Sequence, residues 1–352
     1  MKIMKIIKIG DKVIGKGKPC FIIAEAGVNH NGDLKIAKKL VDVAARAGAD
    51  AVKFQTFKAE KLVTTYAKQA KYQTSNIGYE ESQFEMLKRL ELKEKFHLVL
   101  KKYVEDKGLI FMSTPFDEEA IDFLDNMGME IFKAGSGELN NFPYLVKMAK
   151  KNKPMIISTG MATLKEVDEA VNFIKREEND KLVVLHCTSN YPCLYEEVNL
   201  RAMKTMEEKL GCPIGYSDHT MGITVAIMAI ALGAVVIEKH FTLNRNLPGP
   251  DHKSSLEPDE LKEMIRQIRI AEKALGNYNK KPTESEKKIM KLVRKSLVAK
   301  KNIEKGSIID DEMIVIKRPG TGLSPNNLHK IKKKKAKRNI SKDEIFQLDM
   351  VE

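Results

Sequence analysis

Two short stretches of this 352-residue sequence set a histidine among charged or hydroxyl-bearing neighbours, SDHT ending at Thr220 and EKHFT ending at Thr242. His219 and His240 flank a long apolar run, so either they share one metal ion or they sit at the two ends of a buried element. Two neutral imidazoles completed by water suit Mn2+, Zn2+ or Fe2+ better than Ca2+. His186 and His30 compete for the same place. Lysines and hydroxyls recur in similar runs: Lys53 and Gln55 in AVKFQTF, Thr114 in LIFMSTPF, Lys133 and Ser136 in IFKAGSG, Ser158 in PMIISTG and Ser217 in SDHT. Two lysines among four hydroxyls describe a site for a phosphate or a carboxylate. The plain alternative pairs each lysine with a carboxylate such as Glu25 or Glu238, because an unpaired buried ammonium is costly.

The elements that must hold these residues are eight β-rich runs, 20–27, 51–57, 109–116, 131–137, 154–160, 182–188, 214–220 and 235–242. Each begins apolar and ends polar. Helical patterns separate them, for example over 33–49, 118–128, 142–151 and 163–177, with apolar residues at i, i+3 and i+4. Eight β-then-α units over about 240 residues match a (β/α)8 barrel, whose active sites lie at the carboxyl ends of the strands. A doubly wound open sheet is the alternative, but no G-x-G-x-x-G follows the first strand. Side chains two apart share a face of a strand, so Lys53 goes with Gln55, Ser217 with His219 and Glu238 with His240. Neighbouring strands are roughly 5 Å apart, which lets two inward imidazoles at one height share an ion.

Residues 58–91 carry little strand signal and are expected to cover the barrel mouth. Residues 1–17 predict a hairpin turning at Gly10 and Asp11 that plugs the other end. The chain therefore divides into a barrel domain over 1–280, a linker over 281–290 and a small, mostly β domain over 291–352, where SLVAKK, MIVIKRPG and IFQLDMVE read as short strands.

Hydrophobic residues at 43% and charged ones at 31% describe a globular protein rather than a disordered or fibrous one. The longest nearly apolar run, 223–237, is shorter than the ~20 residues of a membrane span, and no secretory leader is evident at the start. Four cysteines without CxxC spacing read as reduced thiols of a cytoplasmic protein. Of the net charge of +13, +8 comes from residues 291–352, with 16 Lys and Arg against 8 Asp and Glu. The run HKIKKKKAKRN reads as a solvated lysine-rich face. It lacks the interleaved aromatics of a single-strand nucleic-acid binder, so no nucleic-acid partner is expected.

Several longer motifs stand in order along the chain: IIAEAGVNHNGDLKIAKKLVDVAARAGADAVKFQTFKAE, FKAGSGELNNFPYL, IISTGMATLKE, LHCTSNYP, GYSDHT, EKHFTLNRNLPGPDHKSSLEPDEL and KRPGTGLSP. Together they resemble the sialic acid synthase family over nearly the whole length, the terminal segment being similar to its antifreeze-like (SAF) domain. The resemblance implies condensation of phosphoenolpyruvate with N-acetylmannosamine to give N-acetylneuraminate and phosphate. It implies a divalent metal, Mn2+ or Mg2+, on His219 and His240. Lys53, Thr114, Lys133, Ser136, Ser158 and Ser217 match the phosphoenolpyruvate site; Ser189 or its neighbour Asn190 supplies one more contact. Gln55, Glu138, Tyr191 and Asp251 match sugar contacts. Arg318 of the KRPG motif matches a residue that reaches the sugar's N-acyl group in a domain-swapped homodimer. Chemistry assigns Glu25 to the carboxylate beside C2 of phosphoenolpyruvate, with Lys53 and Lys133 holding the anionic groups. The wording KFQTFKAE leans away from a pseudaminic acid synthase and leaves the sialic and legionaminic types unseparated.

Overall fold

A computed structural model describes residues 6–352. It consists of two compact units, one ending at Gly276 and the other running from Asn277 to Glu352. The first five residues of the expected hairpin lie outside the described residues.

The first unit opens with β1 (Ile7–Ile9) and β2 (Lys12–Ile14), antiparallel, with Ile9 opposite Lys12. Gly10 takes φ +54° in the turn, a conformation that glycine adopts without strain. Eight parallel strands follow: β3 (Phe21–Gly27), β4 (Ala51–Thr56), β5 (Ile110–Pro115), β6 (Phe132–Ala134), β7 (Met155–Ser158), β8 (Leu182–Cys187), β9 (Ile214–Asp218) and β10 (Val236–His240). Their hydrogen-bonded order is β5-β4-β3-β10-β9-β8-β7-β6. The end strands β5 and β6 lie beside each other, which all but closes the circle. This unit is a (β/α)8 barrel, as its alternating pattern predicts.

Helices on the outside are α1 (Leu34–Ala47), α5 (Glu94–Glu105), α6 (Glu118–Asn126), α7 (Phe142–Lys150), α8 (Leu164–Arg176), α9 (Ala202–Leu210), α10 (Thr224–Ala231) and α11 (Pro258–Leu275). Local chemistry starts several of them. Asp33 accepts from the amides of Lys35 and Ile36 at α1, and Thr163 with Glu166 forms a capping box at α8. Between β4 and α5 the covering segment folds as three short helices, α2 (Ala59–Leu62), α3 (Lys71–Ile77) and α4 (Gln83–Leu90).

Period-two alternation sorts every strand residue. Val183 and Leu185 point into the barrel, whereas Leu182 and Val184 pack on the helices. The interior apolar layer, including Ile23, Met112, Ile156 and Val236, meets Ile7, Ile9 and Ile14 of the hairpin, which seals that end. Polar inward side chains can only follow toward the open end, and this is why each strand reads apolar first and polar last.

Outside the barrel, β9 and β10 are locked by a pair that the sequence reading overlooked. Lys239 donates to Asp218 at 2.8 Å and to the Thr220 carbonyl, and both charged side chains are fully enclosed. Asp218 also accepts from the Thr220 amide and hydroxyl. Four free cysteines are buried, and among the described residues no helix is long and apolar enough to cross a membrane.

In the second unit, β11 (Ser296–Ala299) and β12 (Ile314–Lys317) pair antiparallel around Leu297, Ile309, Ile331 and Phe346. IFQLDMVE adds only isolated bridges, Ile345 to Val298 and Val351 to Ala336, instead of a strand. Its turn at 348–350 interrupts the extended run. The stretch expected to be a linker contains most of α12 (Glu284–Val293), nucleated by a Thr283–Glu286 capping box.

Replacing Lys239 by Met strands the Asp218 carboxylate in the wall of the barrel. Breaking such a pair costs ~3–5 kcal/mol, so urea unfolding is expected to show a loss of that order. The double variant Asp218→Leu/Lys239→Met recovers much of it.

Candidate active site at the carboxyl ends of the barrel strands

Above the apolar layer, one ring of inward positions carries Glu25, Lys53, Thr114, Lys133, Ser158, Cys187, Ser217 and Glu238, all buried. Lys53 Nζ lies 2.9 Å from Glu25, 2.9 Å from Thr114 Oγ1 and 3.6 Å from Glu238. Lys133 donates to Ser158 Oγ at 2.6 Å and lies 3.7 Å from Glu238. Both lysines therefore have a carboxylate partner, as the plain reading required. The same two ammonium groups also face the hydroxyls, so counter-charge and anion-site geometry coexist here.

Burial raises the Glu25 carboxyl, and the nearby charge of Lys53 offsets only part of the rise. Burial acts the same way on Glu238, yet the opposing charges, Lys133 and Lys53 foremost, and the Ser217 hydrogen bond hold that group low. For Lys53, burial disfavours the charge, but Glu238 and Glu25 keep the ammonium above its ordinary value. Lys133 is lowered by burial, which Glu238 alone does not make good. The two carboxylates are thus unlike: the lysines hold Glu238 low, whereas burial leaves Glu25 raised.

One step higher stand Gln55, Ser136, Ser189, His219 and His240. Gln55 reaches Glu25 at 3.4 Å. The histidine rings are 5.8 Å apart between centroids. His219 Nδ1 lies 2.6 Å from the Thr188 carbonyl, so it carries the proton and leaves Nε2 unprotonated, 3.4 Å from Ser217 Oγ. His240 Nδ1 is buried without a hydrogen-bond partner. Burial holds His219 down at about 4 and pushes His240 well below its usual value, so both are neutral, the ligating form. This donor set fits a divalent ion. Among the described residues no group of three or more His, Cys, Asp or Glu converges; an ion here would take two protein ligands and complete its shell from water or substrate. His186 instead bonds the Val198 carbonyl beside Tyr216 on the outer face, and His30 accepts from the Gly32 amide next to Phe54. Neither faces the pair.

Ser136 meets Cys187 Sγ at 3.1 Å and accepts from the Gly160 amide at 2.9 Å. A Cβ on Gly160 would come within 2.1 Å of Ser189 Oγ, 2.9 Å of Ser136 Oγ and 3.0 Å of Cys187 Sγ. Glycine just past β7 leaves room for the hydroxyls that follow β6 and β8, Ser136 and Ser189, to come together. Ser189 joins this group, whereas Asn190 is exposed. Tyr191 packs, tilted by 32°, on His219 at 4.1 Å between centroids and stands edge-on to His240 at 5.6 Å. Asp251 is buried, which pushes its carboxyl up to about 6. Glu138 lies in the turn after β6 and accepts from Asn141. Arg318 belongs to the second unit, where it is exposed. The sequence reading missed Gly160, Cys187 and Tyr72, whose ring lies tilted against Tyr191 at 5.3 Å between centroids. For the first two, the polar strand ends STG and HCT held the signal; for Tyr72 nothing local did.

Residues 40–280 match the NeuB family and residues 294–352 match the SAF domain. The chain belongs to the NeuB family. It is 48% identical over 336 residues to the N,N'-diacetyllegionaminic acid synthase of Legionella pneumophila, covering 94% of each chain. The enzyme of the same name from Campylobacter jejuni is 49% identical over 332 residues, 94% of this chain and 99% of that one. The crystal structure of N-acetylneuraminic acid (sialic acid) synthetase from Leptospira borgpetersenii in complex with citrate superposes with a TM-score of 0.72 at 35% identity. It covers 81% of this chain and 95% of its own. For this NeuB family member, Gly160→Ala is expected to turn the Ser189 hydroxyl away while the barrel stays folded. Calorimetric titration with phosphoenolpyruvate should then show affinity lower by about tenfold, the equivalent of a small overpacking penalty. Unchanged affinity would take Ser136 and Ser189 out of the anion site.

Proposed function

We propose that this chain is a nonulosonate synthase that joins phosphoenolpyruvate to a 2,4-diacetamido-trideoxyhexose, giving N,N'-diacetyllegionaminic acid and phosphate. The observation that supports it most is the ring of two buried lysines and convergent hydroxyls facing a pair of neutral histidines across Glu25 and Glu238. Identities of 48% and 49% to two diacetyllegionaminic acid synthases, each over 94% of this chain, favour that sugar over N-acetylmannosamine. N-acetylneuraminate, expected from the motifs, remains the second reading because the Leptospira synthetase shares the fold.

In this reading Lys53, Lys133, Thr114, Ser136, Ser158, Ser189 and Ser217 hold the carboxylate and phosphate of phosphoenolpyruvate. Gln55, Glu138, Tyr191 and Asp251 hold the sugar. The reading includes a domain-swapped homodimer, with Arg318 supplied by a second copy. His219 and His240 would hold Mn2+ or Mg2+, whose Lewis acidity makes an aldehyde carbon more electrophilic. The methylene carbon of phosphoenolpyruvate forms the new C–C bond to that aldehyde, and C2 is left electron-poor. Glu25, within reach of Lys53 and Gln55, stabilises that charge and takes a proton from the water that adds to C2. The tetrahedral adduct then breaks its C2–O bond. One proton of the water ends on the new hydroxyl and the other on the released phosphate.

The deciding assay is phosphate release from phosphoenolpyruvate with the diacetamido sugar and with N-acetylmannosamine in parallel. A higher kcat/KM with the diacetamido sugar is expected, and the reverse order would install the neuraminate reading. Glu25→Gln is expected to lower kcat by about 10²–10⁴ with phosphoenolpyruvate still bound; near-wild-type turnover removes Glu25 from this role. EDTA should abolish turnover and Mn2+ restore it, with His219→Ala insensitive to added metal. Activity that persists through chelation would refute the metal assignment.

A further inference from the structure

An aromatic series leads away from the histidine pair. Tyr191 lies against His219 and His240, and Tyr72 of α3 lies against the far side of this group, its ring tilted 31° to Tyr191. Tyr72 is only half-buried. Burial and the nearby Asp251 both raise its phenol, which puts that carboxylate in the same neighbourhood. The helix that bears Tyr72 is fastened to the loop that bears Asp251. Asn76 Nδ2 donates to the Pro250 carbonyl at 2.6 Å, and Lys253 Nζ donates to the Ser75 carbonyl at 3.0 Å. Tyr72 is therefore a fixed wall rather than a loose side chain of a surface loop.

In the function proposed above, the sugar runs along this wall. Its aldehyde belongs at the histidine end, so the carbons beyond it run outward past Tyr191. The two candidate sugars differ at that outer end: one has a 4-acetamido group and a terminal methyl, the other free hydroxyls. An aromatic face favours a methyl and a flat amide, and it leaves hydroxyls without partners.

We infer that Tyr72 determines sugar specificity, its ring packing on the acetamido and methyl groups at the outer end of the diacetamido sugar. This rests on the function proposed above. Nothing in the wording AKYQTSN announces it, because the contact joins α3 to a residue 119 positions away in sequence.

The test compares Tyr72→Asn and Tyr72→Phe with the wild type on both sugars at saturating phosphoenolpyruvate and Mn2+. Tyr72→Asn is expected to lower the kcat/KM ratio of diacetamido sugar to N-acetylmannosamine by on the order of tenfold. The loss should fall in the KM for the sugar, with the KM for phosphoenolpyruvate within about twofold of wild type. Tyr72→Phe, which keeps the ring, is expected to keep the ratio. An unchanged ratio in Tyr72→Asn overturns the inference, as does an equal loss with both sugars or a loss of the ratio in Tyr72→Phe. A wild type silent with both sugars overturns the function itself, so the two failures are told apart.

Discussion

Four charges enclosed in one barrel govern this structure. Glu25, Lys53, Lys133 and Glu238 come from four different strands, and none has access to bulk water. Isolated, each would carry a desolvation penalty of several kcal/mol. They persist because strand register sets Lys53 2.9 Å from Glu25 and 3.6 Å from Glu238, and Lys133 3.7 Å from Glu238, with Thr114, Ser158 and Ser217 taking up further bonds. The hairpin plug and the apolar layer exclude water from below, which strengthens every interaction above it. The charged groups and the hydroxyls thus hold one another in fixed positions.

The two histidines are held by an arrangement that uses both faces of the same strands. On β9 and β10, Ser217, Glu238 and His240 point inward, with His219 just beyond β9, while Asp218 and Lys239 point outward. The outer pair, bonded across the two strands, fixes their relative height. The inner pair inherits that height, and the Thr188 carbonyl sets the tautomer of His219. A buried ion pair of this kind adds little net stability compared with apolar residues, so its value here lies in position.

Above the strands, the mouth is shaped by pieces distant in sequence. The helices after β4 close over it through Val28, Phe57, Met86 and Leu90. They are tied to the loop after β10 by Asn76 and Lys253.

The sequence by itself determined the barrel, the direction of its open end and the inward residues of each strand. These depend on period-two alternation and on the order of apolar and polar residues, both local properties. Lys53 with Gln55 and Glu238 with His240 were legible for that reason. Only the tertiary structure decided which lysine meets which carboxylate, that Ser189 rather than Asn190 joins Ser136, and that Tyr72 stands against Tyr191. Those depend on register between strands and on loop placement, where contacts far apart in the chain compete and no short window holds the answer. Helix α12 in the supposed linker is the opposite case. Its capping box, TESE, was readable, but a charged, wholly surface-facing helix has no apolar stripe broad enough to separate it from a linker.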